Sequence, residues 1–221
     1  YKKWGAERKV RDLEHRYGDI LMERRITGVG RRNAERALGA DTLLDVSRQI
    51  MGEIRIDRLL ETILTAAVKY VSARKAAILL ERRGLLYIEG EIEPAKNRLR
   101  ILHAEPLSDE TLPLSVIHYV SRTGETLSLD DASGSDAFGA DPYITARRPK
   151  SILCFKVGHL GKTAAVIYME NSIATDTFAA VSPEMLLLLA SEIGIALENA
   201  RLYREQEESI RLRDNILRQY D

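Results

Sequence analysis

Apolar residues recur at helical spacing near both ends of the chain and at strand spacing between them. Residues 1–26 place an apolar side chain at about every third or fourth position, which predicts a helix. The same period returns after Asp41 and again after Asp57, and each aspartate is the expected N-cap of the helix that follows it. The second of these two helices carries an apolar stripe, formed by Leu59, Leu60, Ile63, Leu64, Ala67 and Val71.

Three short aliphatic segments follow and predict the strands of a meander, with the sequences AAILLER, LLYIEGEIE and RLRILHA. A short helix is expected over residues 112–125, where Gly124 would stop it, and a short strand over the sequence TLSLDDA. The next segment, SGSDAFGADPYITARRP, contains too many Gly, Pro, Asp and Ser residues for regular structure. It is predicted to be a long loop, and long loops in compact domains are often functional.

A hairpin follows the loop and is predicted to lie centrally in a sheet, because both faces of its first strand are apolar. Leu153, Phe155 and Val157 alternate with Ile152 and Cys154, and alternate side chains of a strand point to opposite faces. Cys154 is therefore expected to be buried and poorly ionised, unlike a reactive thiol. Inert filler is the favoured interpretation, and a place in the lining of an internal cavity is the alternative.

The order of these elements predicts an α+β fold built on a mainly antiparallel sheet. The helices at the two ends would cover one face of the sheet, and the inserted helix with the long loop would cover the other. We expect a pocket between the sheet and residues 130–148, since that face is apolar and no other cover is available for it.

The last helical pattern begins near residue 182 and contains no glycine after Gly194. Its apolar residues follow a seven-residue repeat, typical of a coiled coil: Leu186, Leu189, Ile193, Ala196, Ala200, Tyr203, Ile210 and Leu217. No part of the domain remains for the residues beyond Tyr203 to pack against. The sequence therefore predicts a parallel homodimer through the terminal helices, with this helix and the 42–51 helix at the interface.

Composition narrows the possible partners and the compartment. The 221 residues include 33 basic and 33 acidic side chains, and this balance argues against a nucleic-acid or anionic-membrane partner. No apolar run reaches the roughly 20 residues of a membrane span, and no secretory signal opens the chain, so a cytoplasmic location is expected. A single cysteine excludes an intrachain disulfide and a cysteine-rich zinc site. Because the chain begins with Tyr1, we expect it to be part of a longer protein.

The hairpin sequences SILCFKV and GKTAAVIYMEN resemble the last hairpin of GAF domains, which are small-molecule-sensing modules of signalling proteins. The similarity extends in order over about residues 42–203, from the helices around LLETILTAAVKYVS to the sequence EMLLLLASEIGIALENARLY. In detail, the sequence resembles GAF domains of large bacterial and fungal hybrid proteins. In these proteins, kinase-like and ATPase modules precede the domain and a histidine kinase or cyclase follows it. The resemblance implies a GAF-like, profilin-like domain over residues 31–203. A helical segment and linker from a preceding domain would occupy residues 1–30, and a coiled-coil-like signalling helix residues 204–221.

Proteins of this family bind cyclic nucleotides, carry bilin or haem, reduce methionine sulfoxide, or have no known ligand. The reductase chemistry relies on more than one cysteine, because a second thiol must resolve the sulfenic acid. The bilin-binding members use an exposed cysteine, and the Asn-Lys…Phe…Asp-Glu pattern of the cyclic-nucleotide members is not found. His118, the best candidate for haem, points away from the buried side formed by Val116, Ile117 and Val120. The sequence assigns no cofactor.

Six residues are candidates for ligand binding: Phe138, Tyr143, Arg147, Arg148, Cys154 and Tyr168. The arginines could pair with an anionic ligand. The nearby acids, Asp130 at the end of a strand and Asp141 in the loop among them, are expected to cap turns. We expect a regulatory module without catalytic activity, which passes ligand or partner state to an output domain of a sensor kinase or cyclase. The alternatives are a small-molecule enzyme of the reductase type and a dimerisation domain without a ligand.

Overall fold

The computed structural model describes Asp45 and residues 47–159, 162–179 and 181–217. Residues 47–51 are helical. Four helices follow: α1 (Ile56–Val71), α2 (Leu114–Thr123), α3 (Pro142–Arg147) and α4 (Pro183–Leu217). The strands are β1 (Lys75–Arg82), β2 (Leu85–Glu93), β3 (Arg98–Pro106), β4 (Leu127–Leu129), β5 (Ser151–His159) and β6 (Lys162–Asn171). The predicted helix over residues 1–26 and the predicted cap Asp41 lie outside the described residues.

The six strands form one sheet in the order β3-β2-β1-β6-β5-β4, and every neighbouring pair is antiparallel. The β5–β6 hairpin is central, since β6 pairs with β1 on its other side. In that pairing Lys75, the first residue of β1, lies directly opposite Glu170 near the end of β6. The predicted antiparallel sheet with a central hairpin is confirmed.

One face of the sheet is covered by α1 and α4. The predicted stripe of α1 lies on this side, where Leu59, Leu60, Ile63, Leu64 and Ala67 are buried. Each fully buried aliphatic side chain contributes about 1.5–3 kcal/mol. Gly90 in β2 allows close packing here, since a β-carbon at that position would lie 3.0 Å from Cδ1 of Leu64.

The other face carries a second apolar core, covered by α2 and the segment that follows β4. Val116, Ile117 and Val120 of α2 are buried in it, and His118 is exposed, as predicted. Ala132 and Ile144 of the following segment also belong to this core. The segment therefore packs on the sheet, and its side chains fill this region of the second face.

Two local predictions were wrong. Asp57 is not an N-cap, because α1 begins one residue earlier; Arg55 occupies the cap position, and no side chain caps the helix there. The predicted irregular loop contains the short helix α3, whose N-cap is Asp141 and whose first residue is Pro142. An Asp-Pro pair at this position favours helix initiation, because proline at the first helical position needs no hydrogen-bond partner for its nitrogen.

The final helix, α4, begins where the sequence predicted, but the first part of its apolar repeat packs within the domain. Leu186, Ile193, Ala196 and Ala200 are buried in the core on the α1 side of the sheet, so this part of the predicted coiled-coil stripe packs within the domain. Helix and sheet approach closely at Gly194, where a β-carbon would lie 2.7 Å from the carbonyl oxygen of Gly158 in β5.

The part of α4 beyond Ala200 differs from the part before it, because every residue from 201 to 210 is exposed.

Among the helices in the described ranges, none combines the length and the apolar character needed to cross a membrane.

Candidate functional site

Two of the six predicted ligand-binding residues line an open cleft at one end of the second face. Tyr143 and Arg147 of α3 border this cleft, which has a volume of about 590 Å³. Its other walls are the start of β1, the paired ends of β2 and β3, and the end of β6. We call it the polar cleft, because most of its lining side chains are charged. This volume falls in the range of small-molecule sites, roughly 300–1,000 Å³.

The other four predicted residues do not line the polar cleft. Cys154 and Tyr168 are fully buried in the second core. Phe138 packs against that core and meets the ring of Tyr119 edge-on, with 5.6 Å between the ring centroids. Arg148 is exposed and ends α3 in the left-handed conformation, with φ at 51°.

The cationic side chains of the cleft fall into two groups. Arg100 donates two hydrogen bonds to Oε1 of Glu91, at 3.0 and 2.6 Å, and Arg98 lies 3.6 Å from the same oxygen. Lys96 forms an ion pair with Glu93 at 2.8 Å. By contrast, none of the ion pairs in the described part of the chain includes Arg74, Lys75 or Arg147. These three side chains add positive charge to a cleft that Glu110 and Glu170 also line, and none of the three is paired directly with a carboxylate in the described residues.

A buried hydrogen-bond network connects the cleft to the second core. Nζ of Lys75 donates to the hydroxyl of Tyr143 at 2.9 Å and to the carbonyl oxygen of Thr111 at 2.7 Å. The Tyr143 hydroxyl in turn donates to Oε2 of Glu170 at 2.9 Å. The Tyr168 hydroxyl donates to the same oxygen at 2.5 Å. Tyr168 thus contributes to the site through Glu170, not as a lining residue.

Burial controls the ionisation of this network. It raises the pKa of Tyr143 and of Tyr168, and the negative charge of Glu170 raises both further. Burial also lowers the pKa of Lys75, although the carboxylates of Glu170, Glu91 and Glu93 oppose it. Both tyrosines therefore remain neutral at physiological pH, and Lys75 loses its proton more readily than an exposed lysine.

Asp141 holds this wall of the cleft in place. Its Oδ1 accepts a hydrogen bond from the backbone N–H of Tyr143 at 2.9 Å, which caps α3. Its Oδ2 accepts from the backbone N–H and the hydroxyl of Ser115 in α2, at 3.0 and 2.6 Å. The carboxylate thus joins α3 to α2 and orients Tyr143, in line with the expectation that the acids of this segment are structural.

The only cysteine is chemically unsuited to nucleophilic catalysis. Cys154 is fully buried in β5, opposite Tyr168 in β6. Burial raises the pKa of its thiol, so the reactive thiolate is scarce at neutral pH.

Lys75 and Glu170 were missed as site residues. Each is a single charged residue at the end of an apolar strand, in KAAILLER and AAVIYMEN, and such residues are usually solvated. Their common signal was a charged residue directly next to the apolar run of a strand, before AAILL in β1 and after AAVIYM in β6. Only the pairing of β1 with β6 brings the two together.

Comparisons with known proteins agree with this fold. A family model described as "GAF domain" matches residues 55–197. The chain is 39% identical over 90 residues to hybrid signal transduction histidine kinase G of Dictyostelium discoideum. This matched segment is 41% of this chain and 3% of that protein. It is 27% identical over 186 residues to the probable 3',5'-cyclic phosphodiesterase pde-5 of Caenorhabditis elegans, covering 79% of this chain and 25% of that one. The chain thus spans a quarter or less of these curated relatives.

A solved structure shows the same fold at low sequence identity. The GAF domain of an Acinetobacter phosphoenolpyruvate-protein phosphotransferase is 17% identical, with a TM-score of 0.58 over 76% of this chain and 98% of that domain. Similarity at this level concerns the arrangement of the strands and helices alone.

Proposed function

The chain belongs to the GAF domain family, and we propose that it is a ligand-responsive regulatory domain of a multidomain signal-transduction protein. GAF domains are regulatory sensor modules of signalling proteins, and one of the two curated relatives is named as a signal transduction histidine kinase. The expected setting is the cytoplasm, upstream of a kinase or cyclase output domain.

The observation that carries this proposal is the polar cleft and its connection to the core. Tyr143 lies in the wall of the cleft and donates a hydrogen bond to the buried Glu170 of β6. A ligand that displaces Tyr143, or that changes the charge around it, would disturb the Glu170 carboxylate, which also accepts a hydrogen bond from Tyr168. A small molecule at the surface can therefore influence the central strand of the sheet.

The same strand contacts the output helix on its opposite face. Ala165, Ile167 and Met169 of β6 belong to the core that also contains Ile193 and Ala196 of α4. A shift of β6 would thus reach α4, which continues beyond the domain to Leu217. We take this as the route from ligand to output.

A second copy of the chain is the proposed partner of α4. Leu202, Tyr203 and Ile210 are 49%, 42% and 43% exposed, although all three are apolar or aromatic. The buried part of the predicted stripe, up to Ala200, is already used within the domain, so we place the parallel seam mainly beyond that residue. The helix over residues 47–51 would add Met51 to the dimer interface, and Ile54 follows it closely in sequence. Both side chains are exposed.

Catalysis is not part of this proposal. A fully buried thiol without a second cysteine does not support the reductase alternative. A dimerisation domain without a ligand remains the other hypothesis, and the charged, partly unpaired lining of the polar cleft argues against it.

Native mass spectrometry of the purified 221-residue chain tests for an occupant of the cleft. We expect a co-purified small molecule whose bound fraction falls in Arg147→Glu. Arg148→Gln is the matched control, because Arg148 neighbours Arg147 in sequence but does not line the cleft, and it should retain the molecule. Equal occupancy in both variants, or an empty cleft in the wild-type chain, would contradict ligand binding at this site.

A further inference from the structure

The amine of Lys75 has an unusual environment for a lysine. The side chain is half-buried at the start of β1, and Nζ donates to two neutral oxygens, the Thr111 carbonyl and the Tyr143 hydroxyl. Nζ also lies 4.8 Å from the centroid of the Tyr143 ring. An ammonium group held mainly by neutral partners has lost much of its hydration without gaining a directly bonded carboxylate.

This environment favours the neutral, nucleophilic amine. Burial lowers the pKa of Lys75, and the positive charge of Arg147 adds to the effect, against the opposing carboxylates of Glu170, Glu91 and Glu93. A partly dehydrated lysine next to another cationic group is the arrangement that activates lysine toward carbonyl compounds.

The polar cleft supplies both the access and a place for an anion. Lys75, Arg74 and Arg147 all line it, and neither arginine takes part in an ion pair within the described part of the chain. Arginine is well suited to binding a carboxylate through two parallel hydrogen bonds.

We propose that Lys75 forms a reversible imine with a small aldehyde or ketone that carries a carboxylate, with Arg147 or Arg74 binding that carboxylate. This inference rests on the proposed function, because it names the chemical class of the ligand for the same cleft.

The hydrogen bonds of the network run in the direction that the reaction requires. Lys75 donates to Tyr143, and Tyr143 donates to Glu170, so a proton can pass from the ammonium group to the Glu170 carboxylate through one hydroxyl. The neutral Nζ then attacks the carbonyl carbon, a C–N bond forms, and the C=O π electrons move to oxygen. The oxygen takes one proton from the nitrogen and a second from Glu170, which returns the proton it had accepted, and leaves as water. The nitrogen lone pair then closes the C=N bond of a protonated imine, without oxidation or reduction.

Reductive trapping tests this chemistry. The 221-residue chain is incubated with glyoxylate and cyanoborohydride at neutral pH, and modified lysines are located by peptide mass spectrometry over time. We expect Lys75 to be modified severalfold faster than the others, because its lowered pKa increases the fraction of neutral amine. Lys69 and Lys96 are internal controls, since both are exposed, the pKa of Lys69 is raised by its hydrogen bond with Tyr70, and Lys96 is paired with Glu93.

Three variants separate the parts of the proposal. Lys75→Arg keeps the charge and should lose the rapid adduct. Arg147→Gln should reduce the preference of Lys75 for glyoxylate over propanal, which has no carboxylate, and an unchanged preference in both Arg147→Gln and Arg74→Gln would overturn the anion site. Lys75 labelling no faster than Lys69 and Lys96 in the folded chain, or equally fast in urea, would overturn the imine.

Failure of the imine and failure of the regulatory function are distinguishable. If Lys75 is unreactive but native mass spectrometry still shows an occupant that Arg147→Glu removes, the cleft binds its ligand non-covalently and only the imine is wrong. If Lys75 is unreactive and the cleft is empty, both proposals fail.

Discussion

Lys75 and Glu170 face each other across neighbouring strands without forming an ion pair, because the hydroxyl of Tyr143 lies between them. The two residues are paired in the register of β1 and β6. The hydroxyl is 2.9 Å from Nζ of Lys75 and 2.9 Å from Oε2 of Glu170. A residue of α3 therefore completes a polar contact within the sheet, so a displacement of α3 that takes the Tyr143 hydroxyl out of hydrogen-bond range would break that contact.

Replacing Tyr143 by phenylalanine should destabilise the domain. The ring would stay, and Lys75 would keep its bond to the Thr111 carbonyl and Glu170 its bond from Tyr168. Each would still lose one hydrogen bond in a largely buried place, and a hydrogen bond to a charged group contributes about 1.5–3 kcal/mol. Urea unfolding followed by circular dichroism measures the loss. Tyr119→Phe is the control: its hydroxyl bonds to Glu125 at the surface, so a change within about 0.5 kcal/mol is expected. Equal effects of the two substitutions would refute the bridging role.

Stability should fall steeply at alkaline pH because of the same network. The folded-state pKa values of Tyr143 and Tyr168 are raised above the ordinary value of 10.0. Above about pH 10 the unfolded chain releases these two protons and the folded chain keeps them, so unfolding becomes more favourable as pH rises. Lys75 opposes the trend, because its lowered pKa makes the folded state release its proton first.

Ultraviolet absorbance of ionised tyrosine measures this directly. Of the nine tyrosines, Tyr143 and Tyr168 should titrate only together with global unfolding, and the Tyr143→Phe variant should leave one such group. Smooth titration of all nine in a protein that remains folded would contradict the prediction.

The sequence predicted the hairpin well because a local rule decides it. Alternation along β5 alone placed Cys154 on one buried face and Leu153 on the other. The partnership of Lys75 and Glu170 depends instead on the register of two strands that are far apart in the chain, which no local pattern encodes.

Residues whose local pattern fits two environments depend on distant parts of the chain for a related reason. A seven-residue apolar repeat in α4 is compatible with a coiled coil and with packing on the domain's own sheet, and the presence of β5 and β6 decides between them for Ile193 and Ala196. Phe138 was predicted to line a pocket from its place in the loop, and Tyr168 was also a candidate; an aromatic residue suits a core as well as a pocket. In the structure, Tyr168 is buried within the second core and Phe138 packs against that core.

Cys154 should behave as a packing residue. Cys154→Ala should keep the fold and the oligomeric state and lose about 1–2 kcal/mol of stability, since the cavity left by one sulfur atom is small. Urea unfolding gives the loss, and labelling by a thiol reagent should be slow in native protein and fast in urea. Rapid labelling of the native protein would show that the thiol is accessible.

The dimer proposal predicts that substitutions at two surface positions of α4 affect dimerisation differently. Ile210→Lys places a charge on the exposed apolar stripe and should shift sedimentation equilibrium toward monomer at tens of micromolar. Glu208→Lys changes the charge two residues away, at a position outside the stripe, and should have little effect. A wild-type chain that is monomeric at this concentration, also when extended into its natural C-terminal neighbour, would rule out the seam.

Gly194→Ala should weaken the contact between the output helix and the sheet. In a helix interior this change usually stabilises by about 0.5–1 kcal/mol, but here the new β-carbon would lie 2.7 Å from the Gly158 carbonyl oxygen. The backbone on either side must move, and overpacking of this kind costs about 1–3 kcal/mol. Urea unfolding should therefore show a loss, whereas Ser191→Ala, at an exposed position of the same helix, should be neutral or slightly stabilising. A gain of stability in Gly194→Ala would mean that α4 does not pack directly on β5.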